Sequence, residues 1–358
     1  MNISFGDFEE IISIPLTCRQ KEKKFIEALS ESTENLDYTE HGGGFVNFHN
    51  TCWLNSSLQC VLRALSPVLS KVLALEDGEF GIWSSLAFLN SSHLSSTSPI
   101  IPSNHIGALV REFCDLGEMQ DCHEFLLFLL DQLREEELEI RKRLEENEEE
   151  NEENKEEEER DDDGGWMEVG SQGRVLEVNH HSTTSSQQIS FISSVFEGVM
   201  RVPSNKSKRR INSEPFLSLS LPFQSTKSHS LQDMIDTFCN PIKEEGKREK
   251  EIKFSTLPPN LIIHLSRFSF SSSSSKIHTQ ISFPLSLSLA DSLYTLSSII
   301  FHSGESLHSG HYTSAVRRSE DGAEWTLFDD IQVQSLPFTN IQEVMKSEVY
   351  LLFFSKVS

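Results

Sequence analysis

Three residue types that thiol catalysis uses stand out in this chain: Cys52, His311 and the acidic pair Asp329 and Asp330. Cys52 sits in "GGGFVNFHNTCWLNSSLQC" (42–60), behind Asn50 and Thr51, both good N-cap types, and ahead of an apolar helical run. A thiol attacks as its thiolate, and the partial positive charge at a helix N-terminus favours that form. The same position also suits a buried structural thiol, the commoner fate of an isolated Cys. A nucleophile needs a base, and the base needs a group to orient it. His311 follows the glycine-rich "HSGESLHSG" and starts an alternating segment; Asp329 and Asp330 follow "WTLF". Two strands joined by "SEDGAE" would set His311 beside Asp329. Donors for a tetrahedral oxygen could come from the Cys52 backbone N–H and the Asn47 side chain, although Asn47 equally suits a turn in a Gly-rich loop.

These groups need elements to position them. Leu54, Leu58, Val61, Leu62 and Leu65 share one helical face, and the spacing predicts a helix from about Asn50 that stops before Pro67. "HGGG" (41–44) reads as a flexible entry to it. A second helix is predicted over "QDCHEFLLFLLDQL" (120–133), where Asp121 and Glu124 have capping-box spacing ahead of Phe125, Leu126, Leu129, Leu130 and Leu133. Past residue 187 the pattern becomes that of strands. "FLSLSLPF" (216–223) and "FPLSLSL" (283–289) alternate with period two, "NLIIHLSRF" (260–268) suits a strand buried on both faces, and "VYLLFF" (349–354) closes the chain. "SFSSSSSK" (269–276) reads as a hairpin loop.

The net charge of −24 is concentrated: residues 135–163 alone carry 18 acids and 5 bases. Such a run buries too little apolar surface to offset its ordering entropy, so a disordered insertion is expected at about 134–163, its first part possible as a helix extension. The acidic balance argues against a nucleic-acid partner and is compatible with a basic protein partner. No basic-then-apolar leader opens the sequence and no run of about 18 apolar residues occurs, so neither a signal peptide nor a membrane span is expected. Six Cys without a C-x-x-C pair read as reduced thiols, which points to the cytoplasm or nucleus. Residues 1–41, mixed and polar, read as a flexible extension.

Four segments together resemble the ubiquitin-specific protease family, the papain-like deubiquitinases. "NFHNTCWLNSSLQC" is similar to its Cys box and "QDCHEFLLFLLDQL" to its Q-D-x-H-E-F helix. "LPPNLIIHLSRF" is similar to the strand before its His box, and "HSGESLHSGHYTSAV…EWTLFDDIQV" to the His box itself. The order matches over roughly residues 42–354. Shorter pieces, among them "WMEVG" (166–170) and "SSVFEGVMR" (193–201), are similar to ubiquitin carboxyl-terminal hydrolase ten and its relatives.

The resemblance implies an α+β, papain-like fold with a helical thumb, a β palm and β fingers near 190–255, forming one catalytic domain over 42–358. It implies hydrolysis of the isopeptide or peptide bond after the C-terminal Gly of ubiquitin, with ubiquitin and ubiquitinated proteins as partners. By position it makes Cys52 the nucleophile, His311 the base, Asp329 its orienting acid, Asn47 the oxyanion donor and Asp330 an assisting acid. Asp121, Glu124, His302 and Tyr312 fall where the family meets the ubiquitin tail. Two departures stand out. His49 replaces the usual Gly of the Cys box, which keeps open a ubiquitin-binding pseudoenzyme; a peptidase for another ubiquitin-like modifier is the other alternative. The family's paired zinc cysteines are absent, so no metal and no cofactor are expected.

Overall fold

The structure is a computed structural model and describes residues 17–31, 42–75, 80–96, 98–115, 117–161, 189–203, 211–223, 229–240, 251–268, 276–306 and 309–357. The serine-rich hairpin loop, "WMEVG" and residues 307 and 308 lie outside them, as does most of 1–41.

Helix α1 (Cys18–Ser30) begins with a reciprocal cap, in which the Thr17 hydroxyl accepts from the Gln20 N–H and the Gln20 side chain accepts from the Thr17 N–H. Its Phe25 and Leu29, four residues apart on one face, are fully buried, and Phe25 stacks on Phe80 at 4.4 Å. The expected flexible extension is therefore corrected over this helix. One apolar stripe was enough to dock it.

Helix α2 (Cys52–Leu73) starts at Cys52, and the predicted stripe Leu54, Leu58, Val61, Leu62 and Leu65 is buried throughout. It does not stop before Pro67 but continues past it. An interior proline costs about 3 kcal/mol. Val68, Leu69 and Val72 beyond it are buried, and each buried aliphatic side chain contributes about 1.5–3 kcal/mol. Burial wins.

Helices α3 (Gly81–Ser95), α4 (Ser103–Phe113) and α5 (Cys122–Asp161) complete the helical half. Helix α5 continues through the acidic run to Asp161, so the helix extension expected for its first part is observed and the disorder expected for the run is corrected. Leu133, Glu137, Ile140 and Leu144 follow a helical face, and all four are buried. Glu137 is buried with its partners supplied: its carboxylate accepts from the Phe191 N–H at 2.8 Å and from Arg141 at 2.8 Å. Glu136 accepts from the Ile82 N–H at 2.9 Å, in the first turn of α3. Burial pushes the Glu136 carboxyl up to about 7 and raises that of Glu137. From α1, Glu22 and Lys23 pair with Arg143 and Glu148. Composition alone hid these contacts.

A short helix α6 (Phe191–Phe196), capped by Ser190, leads into the strands. These are β1 (Gly198–Pro203), β2 (Ile211–Phe216), β3 (Ser218–Pro222) and β4 (His229–Ser230), then helix α7 (Leu231–Cys239). There follow β5 (Lys253–Thr256), β6 (Asn260–Ser266), β7 (Ile281–Ser282), β8 (Ser286–Leu289) and β9 (Ser292–Ser306). Strands β10 (Ser309–Arg317), β11 (Glu324–Asp329) and β12 (Gln332–Pro337), helix α8 (Phe338–Met345) and β13 (Val349–Lys356) complete the order.

The main sheet runs β12-β11-β10-β9-β13-β6-β3, with β8 paired to β9, and a smaller sheet β2-β1-β5 takes the place of the expected fingers. Strands β6 and β13 lie inside the main sheet, which explains their continuous apolar runs: Leu261, Ile262 and Ile263 of β6 and Leu351 to Phe354 of β13 are buried. One apolar cluster joins α2 to α5 with Ile300, Tyr312, Tyr350 and Leu351 of the sheet, and a second fills the sheet's other face. Helix α2 packs against β9, β10 and β11. That packing brings the start of α2 to the middle of the sheet.

Candidate active site

Cys52 is the first residue of α2 and is 3% exposed. Its Ncap neighbour Thr51 makes no side-chain cap; its hydroxyl instead accepts from the Phe48 N–H at 3.0 Å. The Thr51 N–H donates to Asn47 Oδ1 at 2.8 Å, which locks the Asn47 side chain over the helix start. Of the glycines in 42–44, Gly44 is a packing residue. A Cβ there would collide with Asp330 O and Ile331 Cα, so the flexible entry expected from "HGGG" is corrected to a close-packed crossing.

His311 stands on β10 with its side chain beside Cys52. Its Nε2 lies 2.6 Å from Asp329 Oδ1, which leaves Nδ1 for the thiol. Ser314 of β10 pairs with Phe328 of β11, so Asp329 at the end of β11 falls diagonally from His311 on the same face. The neighbouring Cys52, reinforced by Asp329, raises the imidazole to about 9 against the opposing pull of burial. A proton held on that ring at neutral pH is ready for a leaving amine.

Asp330 has a separate task. Its Oδ2 lies 3.9 Å from His311 Nε2 but accepts from Asn47 Nδ2 at 2.9 Å, while its Oδ1 accepts from Asn55 Nδ2 at 2.8 Å. Its main-chain oxygen accepts from the Phe45 N–H at 2.9 Å. Among the described residues, His311, Asp329 and Asp330 are the one group whose metal-ligating atoms cluster, all within 4.8 Å, and hydrogen bonds inside the site already use them.

Residues 43–354 match the family model described as ubiquitin carboxyl-terminal hydrolase. The chain belongs to the ubiquitin carboxyl-terminal hydrolase family. "Ubiquitin hydrolase B" of Dictyostelium discoideum is 33% identical over 67% of this chain and 56% of its own length. "Probable ubiquitin carboxyl-terminal hydrolase 3" of Schizosaccharomyces pombe is 25% identical over 97% of this chain and 81% of its own. The chain thus spans little more than half the length of the first of these and four-fifths of the second. Among solved structures, the SAGA Ubp8/Sgf11/Sus1/Sgf73 DUB module bound to ubiquitin aldehyde superposes with a TM-score of 0.62. That match has 20% identity over 91% of this chain and 71% of that one. The α+β, papain-like fold expected for the family is the one observed.

In this member of the family the four residues expected at the ubiquitin tail are placed unequally. Asp121 caps α5, accepting from the His123 N–H at 2.8 Å, and its other oxygen accepts from Tyr350 Oη at 2.7 Å. Burial raises its carboxyl. Glu124, in the first turn of α5, is exposed. His302 and Tyr312 are fully buried, their rings 4.6 Å apart, so their expected place on the cleft surface is corrected to packing behind it. The cause is the continuous sheet: β9 and β10 are interior strands, and both rings pack against Tyr350 of β13. Gly310 is required there, because a Cβ would strike Ser303 O and the His302 ring.

Sequence reasoning missed four participants. Asn55 is buried at 3% exposure on the apolar side of α2, and a polar residue among Leu54 and Leu58 was the available signal. Tyr350 is hidden inside an apolar strand and had none. His123 and His264 stack at 4.0 Å between α5 and β6, and burial lowers them to about 4 and about 3.

Proposed function

We propose that the chain is a deubiquitinating thiol hydrolase, cleaving the isopeptide or peptide bond after the C-terminal Gly of ubiquitin. The observation that carries this reading is Cys52, at the first position of α2, beside an imidazole that Asp329 holds.

The Cys52 thiolate attacks the Gly carbonyl carbon, and the developing oxyanion meets the Cys52 N–H and the second hydrogen of Asn47 Nδ2. His311 gives its proton to the leaving amine, then takes one from the water that releases the acyl-enzyme. Asp329 fixes the ring's orientation. Asp330 positions rather than reacts, because its carboxylate is committed to Asn47 and Asn55. No cofactor enters this chemistry. Ubiquitin and ubiquitinated proteins are the partners, with Glu124 the exposed acid available to the basic ubiquitin tail.

Among the described residues no helix is long and apolar enough to cross a membrane. All six cysteines are free, which supports a reducing compartment, cytoplasm or nucleus. Ubiquitin carrying a C-terminal electrophile tests the reading. Covalent capture by the parent and none by Cys52→Ala is expected. Reversible binding without an adduct would replace the enzyme with a binding protein.

A further inference from the structure

The lip formed by residues 47–50 and the β11–β12 turn has features that the chemistry above does not use. Asp329 pairs with Gln332, so Asp330 and Ile331 are the two-residue tip of a hairpin. Gly, Asn and Asp are the usual occupants of such a tip, because turn geometry favours them. Ile331 is neither of a turn type nor covered, at 55% exposure. Phe48, next to Asn47, is also 55% exposed. The Asn47–Asp330 hydrogen bond joins the residues that directly precede these two in the chain.

The backbone beneath them is fixed. Phe48 N–H donates to Thr51, and Asn50 Nδ2 donates to the Gly117 carbonyl at 3.1 Å. His49, Asn50 and Asp330 hold left-handed conformations at φ 59°, 60° and 52°. The His49 ring packs edge-on against Phe48 at 4.2 Å. Left-handed backbone at non-glycine residues costs free energy, and it persists only where the surroundings impose it. The result is an apolar surface held open to solvent.

Sheet order says which half of the substrate meets it. His311 lies on β10, between β13, whose Tyr350 holds Asp121, and the β11–β12 hairpin that carries Ile331. On the hydrolase reading the ubiquitin tail meets α5 at Asp121 and Glu124, which sets the acyl half on the β13 side. The leaving nitrogen must be within reach of His311 to be protonated, and the chain attached to it departs on the opposite side, across the β11–β12 tip and residues 47–50. We infer that Phe48, His49 and Ile331 form a leaving-group subsite, which takes apolar side chains flanking the target lysine on the protein from which ubiquitin is removed. This rests on the hydrolase reading.

Three substrates test it with the full chain: ubiquitin amide of a small fluorogenic amine, and ubiquitin joined to the ε-amine of a lysine peptide flanked either by Leu or by Ser. The parent should cleave the Leu-flanked conjugate with a kcat/KM about tenfold above the Ser-flanked one, the discrimination an apolar contact ordinarily supplies. Phe48→Ser combined with Ile331→Ser should bring the two within about twofold while the thermal midpoint and small-amide turnover hold. A parent without a Leu preference overturns the subsite. So does an equal fall of the variant on all three substrates, which would place these residues in the chemistry itself. If the parent fails to hydrolyse the small amide, the hydrolase reading is lost, and the subsite with it.

Discussion

Asn47 and Asp330, 283 positions apart in the chain, are joined by a 2.9 Å hydrogen bond from Nδ2 to Oδ2. The bond ties the proposed oxyanion donor to the turn that follows Asp329. It also separates the two adjacent aspartates: Asp329 serves His311, and Asp330 serves Asn47 and Asn55.

That division predicts different phenotypes. Asp329→Ala removes one of the groups that raise His311, so the alkaline limb of kcat/KM should move below its parent position near pH 9. Asp330→Ala should leave that limb in place while kcat falls by about 10²–10³, the usual loss for an oxyanion donor left unsupported. It should also lower stability by about 1–3 kcal/mol, because buried Asn55 Nδ2 loses the nearer of its two acceptors. Identical pH profiles for the two variants would contradict the assignment.

Cys52→Ala should abolish hydrolysis and keep ubiquitin affinity, since only the attacking atom is removed. Cys60 and Cys122 are fully buried thiols raised by desolvation, and their Ala variants should remain active. Residual turnover by Cys52→Ala, measured with a fluorogenic ubiquitin amide, would reassign the nucleophile.

Acid should destabilise the fold well above the carboxylate range. Burial lowers His123 to about 4 and His264 and His302 to about 3, so each is neutral in the native state while its unfolded counterpart gains a proton. A depressed histidine contributes stability above the unfolded pKa of about 6.5 that is lost as pH falls towards the folded value. Glu136, raised to about 7, acts in the opposite direction over the same window. The expected net is an uptake of about one to two protons on unfolding near pH 5.5. Denaturant midpoints across pH 7 to 5 measure it, and a midpoint that stays level would remove the neutral-histidine account.

The early part of the acidic run should behave as core. Ile140→Ala is expected to cost about 2–4 kcal/mol, as for other buried aliphatic truncations. Glu137→Ala should cost about 1–3 kcal/mol by stranding the Phe191 N–H at the start of α6. Chemical denaturation decides both, and changes under about 0.5 kcal/mol would return this stretch to a solvated linker.

His49→Gly should be tolerated. Relief of the left-handed backbone gains about 1 kcal/mol, offset by the chain entropy of Gly and the lost ring contact with Phe48, so stability should change by less than about 1 kcal/mol. Turnover of a small ubiquitin amide should persist. A loss of several kcal/mol would mean that the His49 ring supports the loop in a way its exposure does not suggest.

The sequence by itself determined what local pattern and residue chemistry encode. The period of the apolar stripe set α2 and placed Cys52 in its first turn. The continuous runs at 260–266 and 349–354 marked interior strands, and the spacing of His311 from Asp329 matched two neighbouring strands of a hairpin. What it did not decide were matters in which distant burial outweighs local preference. Pro67 sits inside a helix because the residues beyond it reach the core. Glu136 and Glu137 look solvated in composition, yet they accept from α3 and α6 because α5 crosses both helix starts. His302 and Tyr312, expected at the cleft, are covered because β9 and β10 are interior strands. The choice between Asp329 and Asp330 was also tertiary. Adjacent residues in a tight turn point their side chains to different neighbours, and only the packing of 44–47 against that turn sets which carboxylate meets the imidazole and which meets Asn47.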